Sequence, residues 1–297
     1  KYSGKYIVTE EENGVTVVRC HVSPEYNKHF WGRMKGYVSF MLSALVAAIR
    51  LPRHDIIIAT SPPLFVGIPG VIAAWKWRSP FVFEVRDLWP DSAIELGVLT
   101  NRPLIMLSYA VEKFLYRAAT KINALGPGYR DALIKKKHIS PDKLSMISNG
   151  ADADILTQTK DRDIVRAEHG WKDSIVVTYI GAHGIANHLE QILDTAALML
   201  GSHPHVRFVL MGSGMRRQIL IDAAKEKGLS NVEFIEPQPK KDVANFIYAS
   251  DICLAVLKNT DVFKTVYPNK IFDYMVCKKP IVVAIDGAAR DLVERAD

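Results

Sequence analysis

Short apolar runs rich in Val and Ile, each bounded by turn residues, alternate along this chain with stretches of helical length, and few folds satisfy that alternation. In the first half the runs are Asp55-Ile-Ile-Ile-Ala-Thr60, Pro80-Phe-Val-Phe-Glu-Val85 and Lys121-Ile-Asn-Ala-Leu125, preceded by Val15–Val22, which reads as a strand after the Asn13-Gly14 turn. Helices are expected at Arg33–Leu51, Leu64–Lys76 and Leu104–Ala119. The second half repeats the scheme, with strands at Ser174–Ile180, Val206–Met211, Val232–Ile235, Ile252–Val256 and Pro280–Ala284 and helices at His188–Leu200, Met215–Lys227, Lys241–Ala249 and Asn269–Val276. Apolar runs this short with little polar alternation suit strands buried on both faces, as parallel strands are. The expected class is α/β, with two Rossmann-like parallel-sheet domains. The Asn149-Gly150 turn and the polar stretch to Arg166 set the boundary, giving residues 1–148 and 149–297.

Composition narrows the class further. Hydrophobic residues make up 48% of the 297 and charged residues 24%, which excludes collagen, disorder and a disulfide scaffold. Cys20, Cys253 and Cys277 form no CxxC pair, so no cysteine zinc site is expected and a reducing cytoplasm is the default. Residues 1–150 carry 20 Lys/Arg against 12 Asp/Glu, whereas the remainder carries 18 against 20, so the net charge of +6 belongs to the first half. Such an excess attracts phosphates, nucleic acid or an anionic membrane. No RNP, helix-turn-helix or zinc-finger spacing accompanies it, so nucleic acid is not expected as a partner. The opening at Lys1 shows no signal-peptide pattern, and Asp291–Asp297 reads as a helix beginning, so a fragment is expected.

The segment Phe30–Arg53 joins a basic, aromatic start to an apolar body. Its uncharged run of fourteen residues, Gly36–Ile49, is too short to span a bilayer core of about 30 Å. Two readings stay open: an interfacial helix with Phe30 and Trp31 among headgroups and Arg33, Lys35, Arg50 and Arg53 on anionic lipid, or a helix buried in the first domain. Trp75-Lys-Trp-Arg78 is either a cationic helix end or a second lipid contact.

Gly212-Ser-Gly214 and Gly181-Ala-His-Gly184 each follow a strand. Glycines there either let backbone approach a phosphate or simply satisfy a tight turn. His183, between two glycines, is a candidate donor contact or a turn filler. In Phe263–Val283, Pro268 suits a first helical turn, and Lys264 and Lys270 flank that start, where they could neutralise a diphosphate. Asp273 could accept ribose hydroxyls; taken alone it reads as a solvated helix residue.

This last run resembles the donor-site helix of retaining glycosyltransferases of family 4, which have the GT-B fold of two Rossmann-like domains facing a cleft. Asp273 matches the second acid of the family's E-x7-E element, with Lys279-Pro280 following. Thr265 stands where the first acid, a contact to the donor sugar, is usual. Thr60–Phe65, Phe83–Pro90, Ile147–Gly150, Gly181–Gly184 and Tyr248–Asp251 are similar to the colanic-acid and O-antigen subgroup, in the right order over nearly the whole chain. Compared with that family the first strand, its glycine-rich loop and the final helices are missing. Asp87 holds the place of the family's acid after the strand ending at Val85, and Arg86 replaces a histidine.

The resemblance implies an acceptor-side first domain and a nucleotide-sugar-binding second domain. The implied reaction is retaining transfer from a UDP- or GDP-sugar to a lipid-linked or saccharide acceptor, in bacterial exopolysaccharide or lipopolysaccharide synthesis. Arg86 and Asp87 are the expected catalytic pair. Gly181, His183, Gly184, Gly212, Gly214, Pro237, Lys264, Thr265, Lys270 and Asp273 are the expected donor contacts. No metal or other cofactor is expected, since cationic side chains can neutralise the diphosphate. The expected location is the cytoplasmic face of the plasma membrane, as a peripheral protein. Alternatives are a nucleotide-sugar 2-epimerase of the same fold and a non-catalytic membrane-associated binding subunit. A dinucleotide enzyme is disfavoured because no GxGxxG follows a strand.

Overall fold

The computed structural model describes residues 4–27, 30–152 and 161–296, and nothing of the Phe30 side chain. The Phe30 headgroup contact and most of the expected polar linker therefore lie outside the described residues. The chain divides into two compact units, Lys1–Ser148 and Asn149–Asp297.

The first unit opens with an antiparallel hairpin of β1 (Ile7–Glu12) and β2 (Val15–Cys20). Asn13 and Gly14 close it with φ of 52° and 79°, the paired positive values that an Asn-Gly turn of type I′ requires. The hairpin is separate from the parallel sheet. Helix α1 (Phe30–Arg50) follows, then β3 (Ile57–Ser61), α2 (Gly67–Trp77), β4 (Phe81–Val85), α3 (Asp91–Glu95), α4 (Arg102–Ala118), β5 (Lys121–Ala124), α5 (Pro127–Lys135) and β6 (Leu144–Met146). The strands form a four-stranded parallel sheet in the order β3-β4-β5-β6. When successive strands advance in one direction, right-handed crossovers put the connecting helices on one face. Phe81, Phe83, Val85, Leu115, Ile122 and Leu133 fill the core beneath them. Gly67 and Gly70 let α2 lie close, since added β-carbons would sit 2.7 Å from Leu115 and 2.9 Å from Phe81. Helix α1 buries Ser43 and Ala47 while Trp31, Val38, Leu42 and Ile49 stay exposed. No helix among the described residues is long and apolar enough to cross a membrane.

The second unit contains α6 (Arg162–Glu168), β7 (Ile175–Ile180), α7 (Glu190–Leu200), β8 (Val206–Met211), α8 (Arg217–Glu226), β9 (Val232–Ile235), α9 (Lys240–Ala249), β10 (Ile252–Val256), α10 (Asn269–Val276), β11 (Ile281–Ala284) and α11 (Ala288–Glu294). Its parallel sheet has the order β11-β10-β7-β8-β9. Side chains alternate between two buried layers: Phe208 and Leu210 pack with Tyr179 and Leu193, whereas Val209 and Met211 pack with Trp171 and Phe246. Burial on both faces is why these strands read as unbroken apolar runs. The chain builds outward from β7 to β9, then returns to β10 on the other side. The order reverses between β7 and β10, and in open α/β sheets ligands bind outside the carboxyl ends of the strands at such a reversal. The expected α/β class with two Rossmann-like parallel sheets is the one observed.

Candidate functional site

At the carboxyl edge of the second sheet the loops after β7 and β8 are stitched together. The Gly181 N–H donates to the Met211 carbonyl at 2.9 Å, the His183 N–H to the Ser213 carbonyl at 2.8 Å and the Arg216 N–H to the His183 carbonyl at 2.9 Å. Gly212 and Gly214 have φ of 144° and 155°, and added β-carbons would lie 1.9 Å from the Gly181 oxygen and 2.4 Å from the His183 oxygen. Of the two readings of the Gly212-Ser-Gly214 turn, loop-against-loop packing accounts for both glycines. It also commits the N–H groups of Gly181 and His183. Those of Ala182 and Gly184 have no hydrogen-bond partner among the described residues.

Pro268 caps α10, so Lys270 falls in the first turn of that helix. Its ammonium reaches back under the loop after β7: Nζ stands 3.5 Å from the centre of the Tyr179 ring and 2.7 Å from where a Gly181 β-carbon would be. Nζ is buried without a hydrogen-bond partner. Burial pushes its pKa down to about 7. Tyr179 is fixed in turn by its hydroxyl, which donates to the Ala182 carbonyl at 2.9 Å. A buried ammonium lacking a partner is costly. Here it lies against Gly181, in the loop whose Ala182 and Gly184 N–H groups are free, at the sheet's reversal, an arrangement that can hold an anion.

The other expected donor residues divide into three groups. Gly181, Gly212 and Pro237 line a recess of about 310 Å³ together with Ser213, Gln238 and Val243. The His183 imidazole is fully buried, with ring centroids of Tyr179 and Phe234 each 6.2 Å away. Burial, followed by the Arg217 and Lys270 cations, pushes its pKa down to about 4. The His183 side chain lies in the interior, while its backbone holds the neighbouring loop. Lys264 pairs with Asp261 at 2.9 Å and lines a separate recess of about 450 Å³ with Leu257, Lys258, Asp286 and Arg290. Lys264 lines that recess, whereas Lys270 is buried under the loop after β7. Thr265 turns its hydroxyl to the Val262 carbonyl at 2.6 Å. Asp273 is half-buried, and desolvation raises its pKa against the opposing charge of Lys240. Tyr179 and Lys258 were not expected as site residues from the sequence. Tyr179 had no signal beyond its place in a buried strand.

In the first unit Arg86 and Asp87 leave the carboxyl end of β4 with different partners. The Arg86 N–H donates to the Ser61 carbonyl at 3.0 Å, and its guanidinium lies 3.9 Å from Glu84. Asp87 accepts from the Ser92 hydroxyl at 2.8 Å. Burial raises its pKa, opposed by that bond and by the Leu88 N–H. Asp87 lines a recess of about 190 Å³ with Arg33, Tyr37 and Trp89.

Comparison with known proteins finds likeness in both units. Residues 3–150 match the family described as Glycosyl transferase 4-like domain, and residues 174–297 match Glycosyl transferases group 1. TuaH of Bacillus subtilis, a glycosyltransferase named for teichuronic acid biosynthesis, is 22% identical over 222 residues, covering 73% of this chain and 53% of TuaH. HepE of Anabaena, solved with UDP-glucose, superposes with a TM-score of 0.67 at 19% identity, over 86% of this chain and 65% of that one. A UDP-forming α,α-trehalose-phosphate synthase from Burkholderia vietnamiensis gives 0.71 at 14% identity, over 97% and 78% of the respective chains. The chain thus spans about half the length of TuaH.

Proposed function

The chain belongs to the glycosyltransferases built from these two domain types on the GT-B fold, and from that premise we propose that it transfers a sugar from a UDP-sugar to a lipid-linked or saccharide acceptor at an anionic membrane surface, with retention, in cell-surface polysaccharide synthesis. The observation that carries this reading is the buried, unpartnered Lys270 ammonium against Gly181, in the loop whose Ala182 and Gly184 amides are free. UDP is favoured as the nucleotide by the UDP and UDP-glucose complexes of HepE, and the polysaccharide role by the name of TuaH.

The chemistry asked of this site is stabilisation of a leaving diphosphate. As the bond from the anomeric carbon to the diphosphate oxygen breaks, its electron pair goes to that oxygen. The Lys270 ammonium and the two amides neutralise the charge that develops. The acceptor oxygen forms its bond to the anomeric carbon on the same face and passes its proton to the departing phosphate. Asp87 orients the acceptor hydroxyl from the first unit. The recess containing Pro237 and Gln238 takes the base, and Asp273 takes ribose hydroxyls.

A thermal-shift screen against UDP-, GDP- and ADP-sugars tests the donor, because a ligand that binds the folded state raises its apparent stability. A rise with the UDP series is expected, and no rise with any nucleotide sugar overturns the reading. Transfer of radiolabel from UDP-sugar into a lipid extract is the expected activity. Conversion of the free sugar nucleotide to its 2-epimer without transfer contradicts it.

A further inference from the structure

Three helices of the first unit carry charge of almost one sign. Helices α1, α2 and α4 contain Arg33, Lys35, Arg50, Lys76, Arg102, Lys113 and Arg117, and Glu112 is their single acid. Glu112 is buried and pairs inward with Lys137 at 2.9 Å. Opposite it, α4 turns an apolar face to solvent: Met106 is 73% exposed and Leu107 51%. Trp75 of α2, 62% exposed, extends this face through an edge contact with Phe114 at 5.9 Å. Along its flank Lys113, Arg117, Lys136 and Lys143 line a recess of about 590 Å³. Lys113, Arg117 and Lys136 have no carboxylate partner among the described residues.

We infer that the outer face of α4, with Trp75 and the cationic recess beside it, docks on an anionic lipid bilayer. The inference deepens the reading of an acceptor reached at an anionic membrane surface, and rests on that reading. A polyanion in solution would pair with the cations but gain nothing from Met106, Leu107 and Phe114. A neutral apolar partner would leave the cations uncompensated. An anionic bilayer satisfies both, with side chains of α4 in the acyl boundary, Trp75 at headgroup depth and the lysines and arginines among phosphates. The sequence left a lipid contact open at α1 and at Trp75–Arg78, and the face inferred here includes the second. Helix α1 packs Ser43 and Ala47 inward, and its Lys35 is neutralised by Glu25 at 2.9 Å.

Sedimentation of the full chain with phosphatidylcholine vesicles, with and without phosphatidylglycerol, tests the inference. Binding to the anionic vesicles that weakens as salt rises is expected. The double variants Met106→Glu/Leu107→Glu and Lys113→Glu/Arg117→Glu should each weaken it about tenfold or more, whereas Val38→Glu/Leu42→Glu on α1 should not. Equal binding by all variants, indifference to lipid charge, or binding to single-stranded nucleic acid in place of vesicles would each overturn it. UDP-sugar thermal shifts on the same variants separate the two claims. A retained shift with lost vesicle binding in the α4 variants concerns the surface alone, and no shift in the parent protein concerns the transferase reading.

Discussion

Burial without a hydrogen-bond partner makes Lys270 costly to the empty fold, and the cost has a definite pH signature. Its pKa falls from 10.5 in the open chain to about 7 in the folded one. Between those values the unfolded chain binds more protons, so stability rises with pH across that window, and below about pH 7 the full penalty applies. Lys270→Met should therefore raise the unfolding free energy, and with it the melting temperature, most near pH 6, by on the order of a few kcal/mol, and progressively less toward pH 10. A gain independent of pH would show that the ammonium is not desolvated. Nucleotide binding needs the protonated form, so UDP affinity should weaken as pH rises above about 7, a trend readable by titration calorimetry. The His183 imidazole has the opposite history. Two flanking glycines gave it the look of a ligand turn, yet its surroundings come from Phe234 on a distant strand. Its pKa of about 4 makes it a neutral interior group that favours unfolding as pH falls from 6.5 toward 4.

The loops after β7 and β8 stand or fall together, because the backbone of one occupies the space a side chain on the other would need. Gly212→Ala places a β-carbon 1.9 Å from the Gly181 oxygen at a φ of 144°. It should destabilise the second unit by about 3 kcal/mol or more, measured by chemical unfolding, and a loss below about 0.5 kcal/mol would contradict the packing account. The three inner strands of that unit, β10, β7 and β8, were legible because burial on both faces leaves an apolar run whatever the neighbours are, and the edge strands β11 and β9 through their β-branched and aromatic residues. Strand β1 was not, since Ile-Val-Thr-Glu-Glu-Glu depends on pairing with β2 rather than on burial. The separation of Lys264 from Lys270 was hidden for a similar reason. Six positions apart they read as two sides of one helix start, but Lys264 sits in the preceding turn, Phe263–Thr265, and faces Asp261. Tyr179 under Lys270 is a contact between a strand and a helix some ninety residues away, and no local pattern announces it.

At the scale of the molecule the account assigns donor and acceptor to different units, which separates binding from turnover. Asp87→Asn should leave the UDP dissociation constant unchanged while reducing sugar transfer about a hundredfold. Equal loss of both would place Asp87 on the donor instead. The charge imbalance between the halves was visible in the sequence, but the uncompensated cations beside α4 were not, because that required knowing that Glu112 turns inward to Lys137. The assignment of the diphosphate to the reversal between β7 and β10 is tested most directly by calorimetric titration of UDP into the parent protein and into Lys270→Met at pH 6.5. The account predicts binding at least about tenfold weaker in the variant, with its fold intact and its melting temperature no lower than the parent's; the same affinity in both proteins would contradict it.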